Sequence, residues 1–154
     1  MVAPLEPGEG PPMAVAPPRF ASCAGGRHLQ VWEHAFVARD GGSAPCSVWA
    51  AVEPVVTPAA AWTVVAWAPS VGLPFTYVAA GSEEGHVVVL SQDGPASAEW
   101  RTTPVHQMPG AVSALSWSQT GTLLLASSAD GTAVMFREAA GGWEPLSDIS
   151  KPTF

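Results

Sequence analysis

Short apolar runs, each ended by glycine, proline or a polar turn, recur along the chain. In VAWAPSVGLPF, residues 65–75, an apolar run ends at Trp67, and two prolines and a glycine follow before the chain turns apolar again. Because proline cannot donate a hydrogen bond to a strand ladder, Pro69 ends the pairing of this run. Runs of this length between turn residues predict short β-strands.

The apolar pattern repeats along the chain. WTVVAWAPS at residues 62–70 matches AVSALSWSQ at residues 111–119, so that Trp67 and Trp117 hold the same place 50 residues apart. In both copies an aliphatic residue stands two positions before the tryptophan, and the two side chains therefore point to one face of a strand. We expect that face to pack against a neighbouring repeat.

A predicted hairpin follows each of these strands. Residues 77–90 read YVAAGSEEGHVVVL and residues 123–136 read LLLASSADGTAVMF, each with an acidic residue and a glycine at the centre. Such pairs between apolar runs indicate two strands joined by a tight turn. A third copy, RFASCAGGRHLQVW at residues 19–32, lacks the strand that precedes the hairpin.

A less regular segment with a tryptophan closes each unit, at residues 47–53, 98–103 and 142–148. Four short antiparallel strands in a repeat of roughly 40 to 50 residues are typical of a WD-repeat propeller blade. The predicted fold class is therefore all-β, a WD-repeat β-propeller of which this chain holds about three blades. The predicted units are a Pro/Gly-rich leader or loop at 1–18, an incomplete WD repeat at 19–61, a WD repeat at 62–104, and a WD repeat with a C-terminal tail at 105–154.

The composition agrees with this fold class. The 154 residues include sixteen prolines and fifteen glycines, which long helices do not tolerate, and the 47% hydrophobic content excludes a wholly disordered chain. No apolar run approaches the roughly 20 residues of a membrane-spanning helix. The N-terminus also lacks the pattern of a signal peptide, so we expect a soluble, intracellular chain.

The charge argues against direct binding to nucleic acid or acidic lipid. The formal net charge is −7, and the six lysines and arginines are scattered along the sequence. Neutralising phosphates requires clustered positive charge. We therefore expect no direct nucleic-acid partner.

Candidate catalytic chemistry is sparse. The four histidines show no metal-ligand spacing, and His28 and His86 occupy equivalent repeat positions beside the tight turns. The two cysteines lack CxxC spacing. The sequence contains no GxSxG elbow, no HExxH and no glycine-rich loop with a lysine for phosphate. We predict no catalytic, cofactor or metal site, and we expect no enzymatic activity.

Four segments carry a family resemblance: RFASCAGGRHLQVW, VAWAPSVGLP, LSWSQTGTLLLASSADGTAVMF and GGWEPLSDIS. In this order and spacing they resemble the C-terminal half of the Sec-thirteen family, the small WD-repeat subunit of the outer coat of COPII vesicles. That family also serves in the Y-shaped scaffold of the nuclear pore. The resemblance covers about residues 19–148, and the WAPS-x-GLP element is its specific part.

The resemblance implies a six-bladed propeller that is left open and completed by a blade from a larger partner. In the coat that partner is the large outer-coat subunit, of the Sec-thirty-one type, and in the pore it is a nucleoporin. The implied role is a non-enzymatic scaffold in transport from the endoplasmic reticulum to the Golgi. The implied locations are the cytoplasmic face of the endoplasmic reticulum, COPII vesicles and the nuclear pore complex, with membrane association only through the coat.

By this match, the last blade flanks the inserted one. Five apolar residues of the last blade are therefore the predicted partner-interface candidates: Leu115, Trp117, Leu124, Phe136 and Trp143.

A second hypothesis is a WD-repeat adaptor of another pathway, a nucleoporin or nutrient-signalling scaffold that binds a linear motif on a closed ring. The two hypotheses differ at the edge, because only the first requires an open blade that accepts a partner's strands. Three incomplete repeats cannot close a ring. We therefore expect either a truncated form of a longer chain or another component that covers the end faces.

The loop after Trp67 yields the first testable prediction. From Trp67 to Val78 is 11 residues, whereas the equivalent step from Trp117 to Leu124 is 7, so VGLP at 71–74 exceeds what the repeat needs. Because the entropy of loop closure changes slowly with length, deleting 71–74 in a full-length propeller should leave the fold intact.

Thermal unfolding and partner binding of that deletion variant distinguish two roles for the loop. Lost binding at an unchanged melting temperature indicates contact with a neighbouring subunit. A melting temperature lowered by several degrees with unchanged binding indicates that the loop only packs on the core.

Overall fold

The computed structural model of the chain describes residues 17–23, 28–37, 41, 44–54, 56, 59–69, 75–94 and 99–148. Every regular element within these residues is a β-strand. The first sheet contains β1 (Arg19–Cys23), β2 (Leu29–Val37) and β3 (Cys46–Val52). The second sheet contains β4 (Trp62–Trp67), β5 (Phe75–Ser82), β6 (His86–Asp93) and β7 (Arg101–Gln107). The third sheet contains β8 (Val112–Trp117), β9 (Leu123–Ser128), β10 (Ala133–Ala139) and β11 (Gly142–Asp148).

Each sheet is an antiparallel meander in which strands that follow one another in sequence are paired. Three such sheets without a helix in the described residues are a partial WD-repeat β-propeller, and the predicted fold class is confirmed. In the described part of the chain the first sheet has three strands, at the repeat copy whose sequence lacks the first-strand pattern. The leader up to residue 16, the 71–74 loop and the tail after residue 148 lie outside the described residues.

Strand β7 extends beyond the unit boundary expected after residue 104. Pro104 lies within this strand, opposite Val88, and a bulge follows before His106 pairs with Val87. Proline is tolerated here because β7 is an edge strand and the bulge interrupts its ladder. Pro104 therefore does not end the strand, although a proline ends the pairing of β4.

The second sheet is buried on both faces. Four of its side chains pack toward the first sheet: Val78, Ala80, Val88 and Leu90. The residues that alternate with these pack toward the third sheet: Tyr77, Ala79, Val87 and Val89. Each large aliphatic side chain removed from water contributes roughly 1.5 to 3 kcal/mol, so these two layers account for most of the hydrophobic stabilisation.

The first and third sheets each bury only the face that meets the second sheet. Along β9 buried and partly exposed residues alternate, with Leu124 and Ala126 buried and Leu123 and Leu125 partly exposed. The same alternation continues in β10, where Phe136 is buried and Met135 is not. Within the residues that the structure describes, one face of each end sheet therefore has no neighbouring sheet.

The tight turns of the second and third sheets have the same geometry. Gly85 and Gly131 adopt φ of 91° and 90°, a conformation that residues with a Cβ rarely take. The N–H of Gly85 donates to the Ser82 carbonyl at 3.1 Å, and the N–H of Gly131 donates to the Ser128 carbonyl at 3.0 Å. The predicted hairpins are therefore turns of one type.

Gly81 allows the second and third sheets to approach closely. A Cβ at this position would lie 2.8 Å from Cγ1 of Val64 and would overlap the side chain of Val112, which belongs to β8. Real Cβ atoms essentially never come this near to another carbon. The contact between the two sheets therefore requires a residue without a side chain here.

We expect Gly81→Ala to lower the free energy of unfolding of the chain by about 1 to 3 kcal/mol, because the added methyl group overpacks the layer between the sheets. Gly141→Ala is the matched control, since nothing lies within 4 Å of a Cβ at Gly141. Urea denaturation of the 154-residue chain measures both effects. Equal effects of the two substitutions would contradict the close approach at Gly81.

Candidate protein interaction site

The five predicted interface residues all lie on the face of the third sheet that meets the second sheet. Leu124 and Phe136 have 0% exposure and belong to the core between these sheets. Leu115, Trp117 and Trp143 are partly buried and pack against that core. A partner could reach Leu124 or Phe136 only after the two sheets had separated. The role of these five residues as a partner interface stays a prediction.

Two of the candidate tryptophans join an aromatic cluster that bridges the sheets. The ring of Tyr77 stacks on Trp117 with centroids 6.2 Å apart, and it meets the ring of Trp143 edge-on at 5.6 Å. The indole N–H of Trp117 donates to the carbonyl of Ala66 at 3.0 Å. Offset and edge-on rings add to the stabilisation from burial, so this cluster stabilises the contact between the second and third sheets.

The phenol of Tyr77 donates a hydrogen bond of 2.8 Å to Oε1 of Glu138. Burial raises the pKa of Tyr77 well above its ordinary range, and the hydrogen bond to Glu138 and the negative charges of Glu138 and Asp93 raise it further. The phenol therefore remains a neutral donor and the carboxylate of Glu138 remains its acceptor.

The opposite face of the third sheet, which we call the outer face, has no neighbouring sheet in the described part of the chain. It carries Leu123, Leu125, Ala133 and Met135, all partly exposed, beside the exposed Ser116. Sequence analysis selected Leu124 as an interface candidate, whereas the structure buries Leu124 and leaves its neighbours Leu123 and Leu125 partly exposed. The repeat alignment contains that signal, because Leu124 stands in the place of Val78, which packs toward the preceding sheet.

The first sheet has an exposed aromatic face on its side remote from the second sheet. Phe36 is 74% exposed and Trp49 is 47% exposed. The ring of Phe20 stacks on Trp32 at 5.8 Å and meets Trp49 edge-on at 5.0 Å. The sequence prediction missed these residues as surface candidates. Their signal was the repeat position of Phe20, which matches the buried Val78 but is not covered by a preceding sheet in the described part of the chain.

Metal and membrane features are absent from the residues that the structure describes. No three His, Cys, Asp or Glu side chains there are grouped so that they could hold a metal ion. No helix in that part is long and apolar enough to cross a membrane.

Comparison with known proteins agrees with this geometry. The family model described as "WD domain, G-beta repeat" matches residues 101–137, which run from the start of β7 into β10. A "Protein transport protein SEC13" of Cryptococcus neoformans is 38% identical over 96 residues, covering 56% of this chain and 29% of the relative. A "Protein SEC13 homolog" of Drosophila melanogaster is 40% identical over 78 residues, covering 51% of this chain and 22% of the relative.

The human "Protein SEC13 homolog" is 35% identical over 88 residues, covering 56% of this chain and 27% of the relative. The chain therefore spans less than a third of the length of these curated relatives. The chain contains a WD repeat and is similar to Sec-thirteen proteins over about half of its own length, which confirms the resemblance carried by its sequence motifs.

The Tyr77 hydrogen bond yields a prediction that can be read without ambiguity, because the chain contains a single tyrosine. We expect its phenolate absorbance to appear well above the ordinary pKa of 10.0 in the folded chain and to return to that value in concentrated urea. A raised folded-state pKa stabilises the protein below pH 10 and loses this contribution as the pH rises further.

The control is Tyr77→Phe, in which the loss of stability above pH 10 should be smaller than in the parent chain. A folded-state titration midpoint near 10 would contradict the buried hydrogen bond.

Proposed function

We propose that the chain acts as a non-enzymatic scaffold subunit in protein transport, through pairing with a propeller blade donated by a larger partner. The proposed setting is the outer coat of COPII vesicles at the cytoplasmic face of the endoplasmic reticulum. The proposed partner is the large outer-coat subunit, of the Sec-thirty-one type. We extend the proposal to the nuclear pore complex, where a nucleoporin would donate the blade.

One observation supports this proposal most directly. Val78, Ala79 and Ala80 in the second sheet are all 0% exposed. The equivalent run in the third sheet, Leu124, Leu125 and Ala126, is equally apolar, yet its middle residue, Leu125, is partly exposed. The third sheet thus has the composition of a blade covered on both sides, but within the described residues it has a neighbouring sheet on only one side.

The energetics favour an added sheet on the outer face. Covering the partly exposed leucines and the methionine there would stabilise a complex, at roughly 25 cal/mol for each Å² of apolar surface removed from water. The partner's blade would present one sheet face to the outer face of the third sheet. Two sheets packed in this way usually lie about 10 Å apart. The names of the relatives from fungi, "Protein transport protein SEC13", support the transport setting.

The test is a substitution on the outer face that leaves the sheet contact untouched. Leu125→Asp should reduce co-purification of the chain with the large outer-coat subunit by at least about tenfold, because it buries an unpaired charge in the proposed interface. The melting temperature of the variant shows whether the fold survives.

Gly141→Asp is the matched control, since it adds the same charge where nothing lies within 4 Å of a Cβ. Unchanged co-purification of a folded Leu125→Asp variant would refute the proposed interface. Binding of a short peptide by a closed ring would favour the adaptor hypothesis instead.

A further inference from the structure

A cleft of about 230 Å³ opens between the second and third sheets, beside the turn that joins β10 to β11. Its walls include the rings of Phe75, Tyr77 and Trp143 and the carboxylate of Glu138, and its rim holds Asp93 and Arg101. The cleft faces away from the outer face of the third sheet. The blade pairing proposed above therefore leaves it unused.

Aromatic rings form much of the wall. The ring of Tyr77 is stacked on Phe75 with centroids 6.2 Å apart, and Trp143 stands nearly perpendicular to Tyr77, with an interplanar angle of 89°. Phe75 is 40% exposed, so its ring is accessible at the mouth of the cleft. The accessible ring of Phe75 can attract a cation, because the ring quadrupole places negative potential above each face.

The charges of the lining favour a cation. Asp93 and Arg101 form an ion pair at 3.1 Å and largely neutralise each other. Glu138 is exposed, and its Oε1 accepts the hydrogen bond from Tyr77, which fixes the carboxylate beside the rings. Within the described residues, Oε2 of Glu138 has no hydrogen-bond or ion-pair partner. The net charge of −7 for the whole chain adds to the attraction of cations.

The hairpin geometry holds the aromatic and acidic groups together. Glu138 is paired with Trp143 across β10 and β11, so that the two side chains emerge side by side on one face. Gly142 adopts φ of 132° immediately before Trp143, and a Cβ there would lie 3.8 Å from the methyl group of Thr103. The negative charge of Glu138 and the ring of Trp143 therefore come from a single hairpin, β10 and β11.

We propose that this cleft binds the cationic side chain of a peptide segment, with Glu138 as the counter-ion and the rings of Phe75, Tyr77 and Trp143 as its walls. A guanidinium group suits the cleft best. Its plane can stack on one ring while an N–H donates to Oε2 of Glu138. An ammonium group satisfies the same chemistry less completely, because it is compact and strongly hydrated.

The experiment titrates the 154-residue chain with N-acetylarginine amide and follows the indole N–H resonance of Trp143 by NMR, assigned with Trp143→Phe. Nα-acetylcitrulline amide is the neutral probe of nearly equal shape. Nα-acetyllysine amide, whose side-chain amine is free, is the ammonium probe. We expect saturable shifts with arginine, weaker binding with lysine and none with citrulline. Added salt should weaken the arginine response.

Glu138→Gln should weaken arginine binding roughly tenfold, because it removes the charge from a charge-assisted hydrogen bond while keeping an acceptor for Tyr77. Glu144→Gln is the matched control. Glu144 lies next to Trp143 in β11, but its side chain is on the opposite face of the sheet, where it pairs with Arg137 at 3.9 Å. Should Glu138→Gln lower the melting temperature, Phe75→Ala replaces it, because it removes a wall at the mouth that is not part of the buried core.

Equal responses to arginine and citrulline, or unchanged arginine affinity in both variants, would refute the proposal. The titration uses the chain alone and small probes. Its outcome is therefore separate from the test of blade pairing, and either proposal can fail while the other stands.

Discussion

The sheets of this chain carry apolar side chains on both faces, and each face gains its full hydrophobic stabilisation only where another sheet covers it. The second sheet meets this requirement, and its strand β5 is buried from Val78 to Ser82. The third sheet carries a run of the same kind but has one neighbouring sheet within the described residues, so alternate residues of β9 remain partly exposed there. Exposed apolar side chains grouped on one sheet face are a feature of surfaces that bind other proteins.

The elements of the fold could be predicted because the repeat signal is local. Strand lengths, tight turns and the acidic-glycine pairs before β6 and β10 all lie within short stretches of sequence. Local sequence does not determine which face of the sheet each side chain occupies. A period of two separates Leu124 from Leu125 but does not say which of them meets the preceding sheet, and that depends on the hand of the whole array. The interface candidates were therefore chosen without knowledge of their face, and the structure places them on the covered face of the third sheet.

The cleft was beyond sequence reasoning for a different reason. Its residues differ from those at equivalent positions of the repeat, since Tyr77 stands where the next copy has Leu123. A residue that occurs in one copy only cannot be identified from the repeat pattern. Glu138 and Trp143 become neighbours through the register that the turn at residues 140–141 sets between β10 and β11. The apolar pattern does not fix the position of this turn, so it does not show which side chains stand opposite each other.

Strand β10 links the two surfaces of the third sheet. Met135 points to the outer face, whereas Phe136 and Glu138 point to the covered face and the cleft. A sheet packed on the outer face and a cation held by Glu138 both require this strand to be ordered and paired with β11. The two proposed contacts would therefore use opposite faces of one strand, and neither would cover the side chains that the other needs.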